Sequence, residues 1–429
     1  MQGNEQKFAA RSAIEALRTG VPNSYSVRAL GCDQPRIESA FAAQLDAAAG
    51  TQPAKGKSGG TDGLLIKGDF GTGKSHSLEY LREFALERNF VVSRVYVNKE
   101  TPMHDPQKLF QGASDNLSLP VRSGPAFTEI ANQLVFNSQG YRELERWANT
   151  SANMLDPRFP ASLVLFEHFR ADHEYRDSIV RFWAGGKMGV AEMRSKLRQI
   201  GQPFTVGYTS LRDLAVQRFR FAARLIRAAG YAGWVVLVDE VELTGTYSAL
   251  QRAKSYVEIA RLMDPAADPG APILPVLAIT DDFTRAVLEE KGDLHKVPSM
   301  MQSRAVFSTA DVEMAVAGMR ILAERGISLK RPDSTSLDEA YSRIRELYRV
   351  AYAWEPAATS PGRRESSTPM RAYIRRWITE WDLRRLNPGV NVDVETVEWR
   401  MDYRERVGKT GGPEVRSDQS LIDDVLGDI

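Results

Sequence analysis

Eight consecutive residues, 68–75, have the types and the spacing that bind the phosphates of a nucleoside triphosphate. The run Gly-Asp-Phe-Gly-Thr-Gly-Lys-Ser fits the pattern G-x-x-x-x-G-K-[S/T] at every fixed position. Glycines let backbone N–H groups turn towards a phosphate, and the helix that follows adds the positive end of its dipole. We expect Lys74 to contact the β- and γ-phosphates and Ser75 to ligate Mg²⁺. The residues expected to contact ATP are Gly68, Asp69, Phe70, Gly71, Thr72, Gly73, Lys74, Ser75 and His76.

Two adjacent carboxylates far downstream have the chemistry to complete such a site. Asp239 and Glu240 end an apolar run, 234–238, that is typical of a buried strand in a parallel sheet. We expect Asp239 to hold the Mg²⁺ shell and Glu240 to polarise the attacking water. Apolar runs that end in Asp-Glu also occur by chance, so the prediction of an ATPase site depends on their combination with the phosphate loop.

Three further residues are candidates for contacts with the γ-phosphate. Thr280, with Asp281 as second choice, ends an apolar run where AAA+ ATPases carry their first sensor, although either residue would also cap the helix that follows. Arg304 follows Gln-Ser and resembles the finger that reaches a neighbouring subunit's phosphate; otherwise it is a surface arginine. Arg371, just inside a predicted helix after Pro369, is similar to the second sensor.

The elements that hold these residues follow from the apolar runs. Five runs separated by helical patterns predict short strands: 64–66, 90–97, 234–238, 273–280 and 304–308. The fold class is therefore α/β, with a doubly wound parallel sheet whose ligands bind at the strand carboxyl ends. An extra strand between the two motifs, with Glu240 beside Asp239, resembles the AAA+-like P-loop ATPases with an additional strand, and not the small GTPases or simple kinases.

Four segments are predicted along the chain: an N-terminal helical segment and linker (1–60), an ATPase core (61–310), a helical lid (311–388) and a C-terminal extension and tail (389–429). The core contains a long helical insertion, 101–207, which exceeds what one strand and two helices require and is more often a partner platform than a loop. Val21 and Pro22 lie where AAA+ proteins pack over the adenine ring; simple packing on the core is the alternative.

Composition excludes several classes of protein. The formal net charge is +1, so any nucleic-acid contact must come from a local patch. Cys32 is the single cysteine, which excludes an internal disulfide framework and a cysteine-built zinc site. No apolar stretch approaches the roughly 20 residues that span a bilayer, and the N-terminus lacks a signal-peptide core. We therefore expect a cytoplasmic protein without membrane contact.

Arginines interleaved with tryptophans in the predicted lid have two interpretations. They would contact the phosphates and bases of a nucleic acid, or the tryptophans would form the apolar face of the lid and the arginines its solvated face. The second interpretation is the stronger one. The residues are Arg363, Arg364, Arg371, Arg375, Arg376, Arg384 and Arg385, with Trp377 and Trp381.

With these motifs in place, the chain resembles the ATP-binding proteins of BREX phage-defence systems, of the BrxD-like family. Four runs carry the resemblance, which extends from about residue 10 to about residue 390: 13–23, 68–76, 99–102 and 239–242. The resemblance implies a bacterial or archaeal AAA+-like ATPase that acts beside a helicase and a DNA methyltransferase in defence against phage.

Three functions are compatible with these residues. The leading hypothesis is an ATPase that forms a homo-oligomer and couples ATP to DNA or to a DNA-acting partner. The alternative is a slow nucleotide-dependent switch or scaffold whose insertion holds a protein partner. A phosphotransferase is a weaker third hypothesis, because Glu240 beside Asp239 and the candidate sensors argue against it.

Overall fold

A mostly parallel sheet of six strands forms the centre of the protein. The computed structural model describes residues 2–50, 62–121, 124–202, 205, 209–264, 270–357 and 369–389. In chain order the strands are β1 (Leu64–Lys67), β2 (Phe90–Tyr96), β3 (Leu117–Ser118), β4 (Gly233–Asp239), β5 (Ile273–Ile279) and β6 (Ile327–Ser328). Their spatial order is β3-β2-β4-β5-β1-β6, and only β3 runs antiparallel to its neighbour.

The predicted α/β class and the strands β1, β2, β4 and β5 are confirmed, but the predicted strand at 304–308 is wrong. Those residues form exposed turns instead, and Val306 is 73% exposed. The Ser308 hydroxyl accepts a hydrogen bond from the Asp311 N–H and the Asp311 carboxylate accepts one from the Ser308 N–H, so a capping box begins a helix there. Ile327–Ser328 takes the place beside β1 instead.

Sixteen α-helices surround the sheet in the described residues. The first eight are α1 (Gln2–Thr19), α2 (Ser24–Leu30), α3 (Pro35–Ala49), α4 (Lys74–Leu86), α5 (Pro106–Asp115), α6 (Ala126–Asn132), α7 (Gln139–Asn149) and α8 (Arg158–His168). The others are α9 (His173–Trp183), α10 (Val190–Gln199), α11 (Leu211–Ala228), α12 (Ala249–Met263), α13 (Asp293–Gln302), α14 (Thr309–Glu324), α15 (Ser334–Tyr352) and α16 (Met370–Leu386). None of these helices is long and apolar enough to cross a membrane.

Strand β4 is buried along its whole length, and its side chains alternate between two cores. Val235 and Leu237 pack in the core on the side of α3 and α4. Trp234, Val236 and Val238 pack in the larger core on the opposite side. Because successive side chains of a strand point to opposite faces, burial on both faces requires the continuous apolar run that predicted this strand.

The helical insertion packs directly on the sheet. The ring of Phe219 stacks on the indole of Trp234 at 5.5 Å between centroids, and Phe110 meets the same indole edge-on at 6.2 Å. The indole N–H of Trp234 donates to the hydroxyl of Ser93 at 2.9 Å. The aromatic core of α5 to α11 is therefore continuous with the core of the sheet.

Helices from the two ends of the chain form a third core. Ile14 and Leu17 of α1 pack with Tyr348 of α15 and with Trp377 and Trp381 of α16. Helix α14, which the sequence prediction assigned to the lid, packs mainly along α12. Residues 51–61, within the predicted linker, and residues 390–429, within the predicted extension and tail, lie outside the described residues. The four predicted segments stay a prediction.

A buried ion pair connects α12 to α13 and provides a test of the fold. The Arg252 guanidinium donates to both carboxylate oxygens of Asp293, at 2.7 and 2.8 Å, and the Tyr256 hydroxyl donates to the same carboxylate at 2.6 Å. Arg252→Met would leave the Asp293 carboxylate buried without its cation. We expect it to lower the free energy of unfolding by about 3 to 5 kcal/mol.

Denaturant unfolding of purified protein measures this loss. Arg285→Ala is the matched control, because its ion pair with Glu290 is exposed at the surface (69% and 59%). The control should change the free energy of unfolding by less than about 1 kcal/mol. Equal losses in both variants would show that the pair does not hold α13 in place.

Candidate nucleotide-binding site

The phosphate loop connects β1 to the first turn of α4. Gly71 and Gly73 have φ angles of 77° and 108°, a region that side-chain-bearing residues rarely adopt. The Thr72 hydroxyl donates to the Asp69 carbonyl oxygen at 2.7 Å and closes the loop on itself. Helix α4 begins at Lys74, so its unpaired N–H groups and the positive end of its dipole lie at the loop.

Lys74 is buried, and its ammonium group turns back towards its own loop. The Nζ atom donates to the Gly68 carbonyl oxygen at 3.0 Å and to the Asp69 carbonyl oxygen at 3.4 Å. A third neighbour is the Glu242 carboxylate, whose Oε1 atom lies 3.5 Å from Nζ. An ammonium group has three N–H donors, so these three oxygens can account for all of them.

Asp239 and Ser75 lie close together at the carboxyl end of β4, and Arg94 contacts both. The Arg94 Nη2 atom donates to the Ser75 carbonyl oxygen at 3.1 Å and to Asp239 Oδ2 at 3.3 Å. Its Nη1 atom donates to Glu79 of α4 at 2.6 Å. A hydroxyl and a carboxylate are hard oxygen ligands that suit Mg²⁺, so Ser75 and Asp239 fit the predicted metal roles.

Glu240 follows the strand in a left-handed conformation, with φ at 60° and ψ at 33°. Its backbone N–H donates to Asp239 Oδ1 at 3.0 Å. Burial and the charge of Asp239 raise the pKa of Glu240, while the charges of Lys74 and Arg371 lower it. A non-glycine residue in this region costs free energy, and such residues cluster at functional sites.

One cavity contains most of the predicted site. Its lining comes from α1, the segment after α2, the phosphate loop, Glu240 and the helices α15 and α16. Pro22 lines the cavity, but its neighbour Val21 is 64% exposed and lies outside the lining. The predicted residues in the lining are Pro22, Phe70, Gly71, Thr72, Gly73, Lys74, Ser75, His76, Glu240 and Arg371.

The beginning of α16 contacts the phosphate loop. The Arg371 backbone N–H donates to the Gly71 carbonyl oxygen at 3.3 Å. The Arg371 side chain donates to the carbonyl oxygen of Thr19, at the end of α1, at 3.1 Å. The loop, α1 and α16 therefore meet at one place, and Arg371 lies in the cavity as predicted.

A comparison with family models decides the family. The model described as BREX system ATP-binding protein BrxC/D matches residues 6–365. The chain belongs to this BrxC/D family. Neither curated proteins nor solved structures give a match. The resemblance found in the sequence is thus confirmed, and the chain belongs to a family of ATP-binding proteins of the BREX system.

Three other residues predicted to contact the γ-phosphate, Thr280 with Asp281 as second choice and Arg304, lie outside the lining of the cavity in this BrxC/D protein. Thr280 is buried directly after β5, and Asp281 accepts a hydrogen bond from the Ser328 hydroxyl at 3.4 Å. Burial and the charge of Asp69 raise the pKa of Asp281. Arg304 is exposed in the turn between α13 and α14. The roles assigned to these three residues stay predictions.

The tryptophans of α16 are buried in this BrxC/D protein. Trp377 is 2% exposed and Trp381 is 0% exposed, so neither can stack on a nucleic-acid base. Two of the arginines make ion pairs within the helix, Arg384 with Glu380 and Arg385 with Asp382. This arrangement supports the interpretation of the tryptophans as an apolar face; Arg363 and Arg364 lie outside the described residues.

Sequence patterns missed two residues of the site, Arg94 and Glu242. Arg94 lies on a strand that was predicted for its apolar residues, and it contacts Asp239 only because β2 and β4 are neighbours. Glu242 follows the Asp-Glu pair in a 3₁₀ helix, 241–246, which returns its side chain towards Lys74. The Asp-Glu-Val-Glu run was the only sequence signal for Glu242.

The contact between the loop and α16 predicts a role for Gly71, which is not a fixed position of the loop motif. A Cβ atom at Gly71 would lie 3.2 Å from Pro369 Cβ and 3.6 Å from Arg371 Cβ. Gly71→Ala should push the loop and α16 apart, because overpacking costs about 1 to 3 kcal/mol. Since both elements line the cavity, we expect this shift to weaken ATP binding roughly tenfold.

Titration calorimetry with ATP measures this effect. Gly230→Ala is the matched control, because Gly230 also has a positive φ, 93°, but nothing lies within 4 Å of its Cβ position. Both variants place a side chain at a positive φ and should lose some stability, but only Gly71→Ala should lose affinity for ATP. An unchanged affinity in Gly71→Ala would show that this contact does not shape the site.

Proposed function

We propose that this BrxC/D protein is an AAA+-like ATPase that hydrolyses ATP with Glu240 as the base. The observation that carries the proposal is the position of Glu240. Its side chain faces the phosphate-loop cavity together with Lys74 and Arg371, and the charges of both affect its pKa. A carboxylate at this position is suited to polarise a water for attack on the γ-phosphate.

The strand order supports the AAA+-like assignment. Strand β5 lies between β1, which leads into the phosphate loop, and β4, which ends in Asp239. The sequence prediction of this class used a different strand, 90–97, which lies between the two motifs along the chain and is β2 in the structure. Helices α15 and α16 line the same cavity and pack on α1, as a lid would.

Each residue has a role that its position supports. The loop N–H groups and the α4 N-terminus bind the phosphate oxygens, and Lys74 leaves its loop carbonyl oxygens to contact the β- and γ-phosphates. Glu240 accepts a proton from the water, for which it must be ionised, and the positive charges of Lys74 and Arg371 favour that form. When bound, Mg²⁺ would neutralise phosphate charge, held by Ser75 and through Asp239.

The partners belong to the proposal as well. An exposed Arg304 suits a finger that completes the site of a neighbouring copy, which would make hydrolysis depend on a homo-oligomer. We further propose that hydrolysis is coupled to DNA, or to the helicase or methyltransferase of the same defence system. The insertion would supply the surface that such a partner contacts.

Hydrolysis with and without duplex DNA tests the main proposal. We expect Glu240→Gln to lower turnover about a hundredfold or more, because the base is lost, while ATP affinity stays within a few-fold. Glu313→Gln, an exposed carboxylate of α14, is the matched control and should leave turnover unchanged. DNA should stimulate the wild type but not Glu240→Gln. Tight ATP binding with slow turnover that does not change when DNA is added would favour the nucleotide switch.

The finger has its own test. We expect Arg304→Ala to lower turnover roughly a thousandfold with near-normal ATP binding. Arg320→Ala, an exposed arginine of α14 paired with Glu324, is the control. Mixing Arg304→Ala with Glu240→Gln should restore part of the activity, since one mixed interface would contain both intact residues. Normal turnover in Arg304→Ala alone would remove this residue from the mechanism.

A further inference from the structure

The Glu242 carboxylate is buried beside the lysine of the phosphate loop. The residue is 1% exposed, and its Oε1 atom lies 3.5 Å from Lys74 Nζ. Its Oε2 atom is buried and has no hydrogen-bond partner among the residues that the structure describes. A buried carboxylate that is only half satisfied costs free energy, so its position calls for a reason other than stability.

The same lysine has to serve two acceptors. In the structure, Lys74 donates to two loop carbonyl oxygens and pairs with Glu242. A triphosphate needs this ammonium group for its β- and γ-oxygens, so binding replaces some of these partners. The contacts with carbonyl oxygens are neutral, whereas the contact with Glu242 is a charge pair in a buried place and is therefore the strongest competitor.

We propose that Glu242 is a positioning residue that holds the Lys74 ammonium group back from the phosphate site, so that ATP competes with a buried carboxylate for this lysine. The inference rests on the proposed phosphate role of Lys74. Once Lys74 moves to the phosphates, Glu242 remains buried near the negative charge of the triphosphate. Its charged form is then disfavoured, and Glu242 takes up a proton from solvent.

The electrostatics around Glu242 fit this exchange. Burial raises the pKa of Glu242 to about 7, the charges of Glu240 and Asp239 at the end of β4 raise it as well, and Lys74 of α4 lowers it. Glu242 is thus neutral below about pH 7 and charged above it. The charged Glu242 carboxylate competes with ATP for Lys74, so this competition should be weak at low pH and should become stronger as the pH rises through this value.

Glu242→Gln removes the charge and keeps the shape. We expect the variant to bind ATP more tightly than the wild type, by roughly three- to tenfold above pH 8 and by less than about twofold near pH 6. A merely structural role for Glu242 predicts the opposite, weaker binding at every pH. Calorimetry in buffers of different ionisation enthalpy should also detect proton uptake on ATP binding near pH 7 in the wild type and less uptake in Glu242→Gln.

Glu258→Gln is the matched control, since Glu258 is also buried and pairs with two arginines, Arg212 and Arg261, away from the cavity. It should leave the affinity for ATP and its pH dependence unchanged. Glu242→Met, an apolar variant of similar length, repeats the test if Glu242→Gln does not fold. Equal or weaker ATP binding at high pH in whichever variant folds would overturn the inference. A wild type that binds ATP without turnover would overturn the proposed hydrolysis and leave this binding test valid.

Discussion

The burial of β4 on both faces is the constraint on which the rest of the structure depends. A shift of this strand by one residue would exchange its side chains between two close-packed cores and change its pairing with β2 and β5, so its carboxyl end is fixed in space. Asp239 and Glu240 lie at this end, and Glu242 is placed by the 3₁₀ turn that follows. The insertion and α11 add to the constraint, because Phe110 of the insertion and Phe219 of α11 both pack on Trp234 of the same strand.

Charge neutralisation at this fixed end explains the arrangement of the neighbouring residues. Asp239, Glu240 and Glu242 bring three carboxylates within a span of four residues. Arg94 of β2 pairs with Asp239 and also contacts the Ser75 carbonyl oxygen of α4. Lys74, the first residue of α4, pairs with Glu242. Burial is the largest cause of the raised pKa values of Glu240 and Glu242, and the neighbouring carboxylates raise them further. A ligand that brings further negative charge would favour the neutral forms of both groups.

The sequence predicted what depends on local pattern. The loop residues 68–75 and the strand before Asp239 were recognisable because the glycine spacing and the apolar run are continuous in the chain. The wrong strand prediction at 304–308 also has a local cause. Ser308 and Asp311 form a capping box that begins α14, and this signal outweighs the three apolar residues from which the strand was predicted. Glu242 and Arg94 were missed because their contacts join separate elements, and β6, with two residues, is too short for any periodic pattern. The packing of α1 on α15 joins residues more than 300 positions apart, which no local pattern reports.

Those distant contacts connect the ATP site to both ends of the described chain. Arg371 and Arg375 of α16 donate to carbonyl oxygens at the end of α1, where the negative end of the helix dipole favours cations. The first residues of α16 also touch the phosphate loop at Gly71. In the proposed function, a nucleotide in the cavity would contact the loop and α16 together, so its binding free energy would add to their docking by mass action. ATP binding and the docking of α1, α15 and α16 on the core would then be one equilibrium.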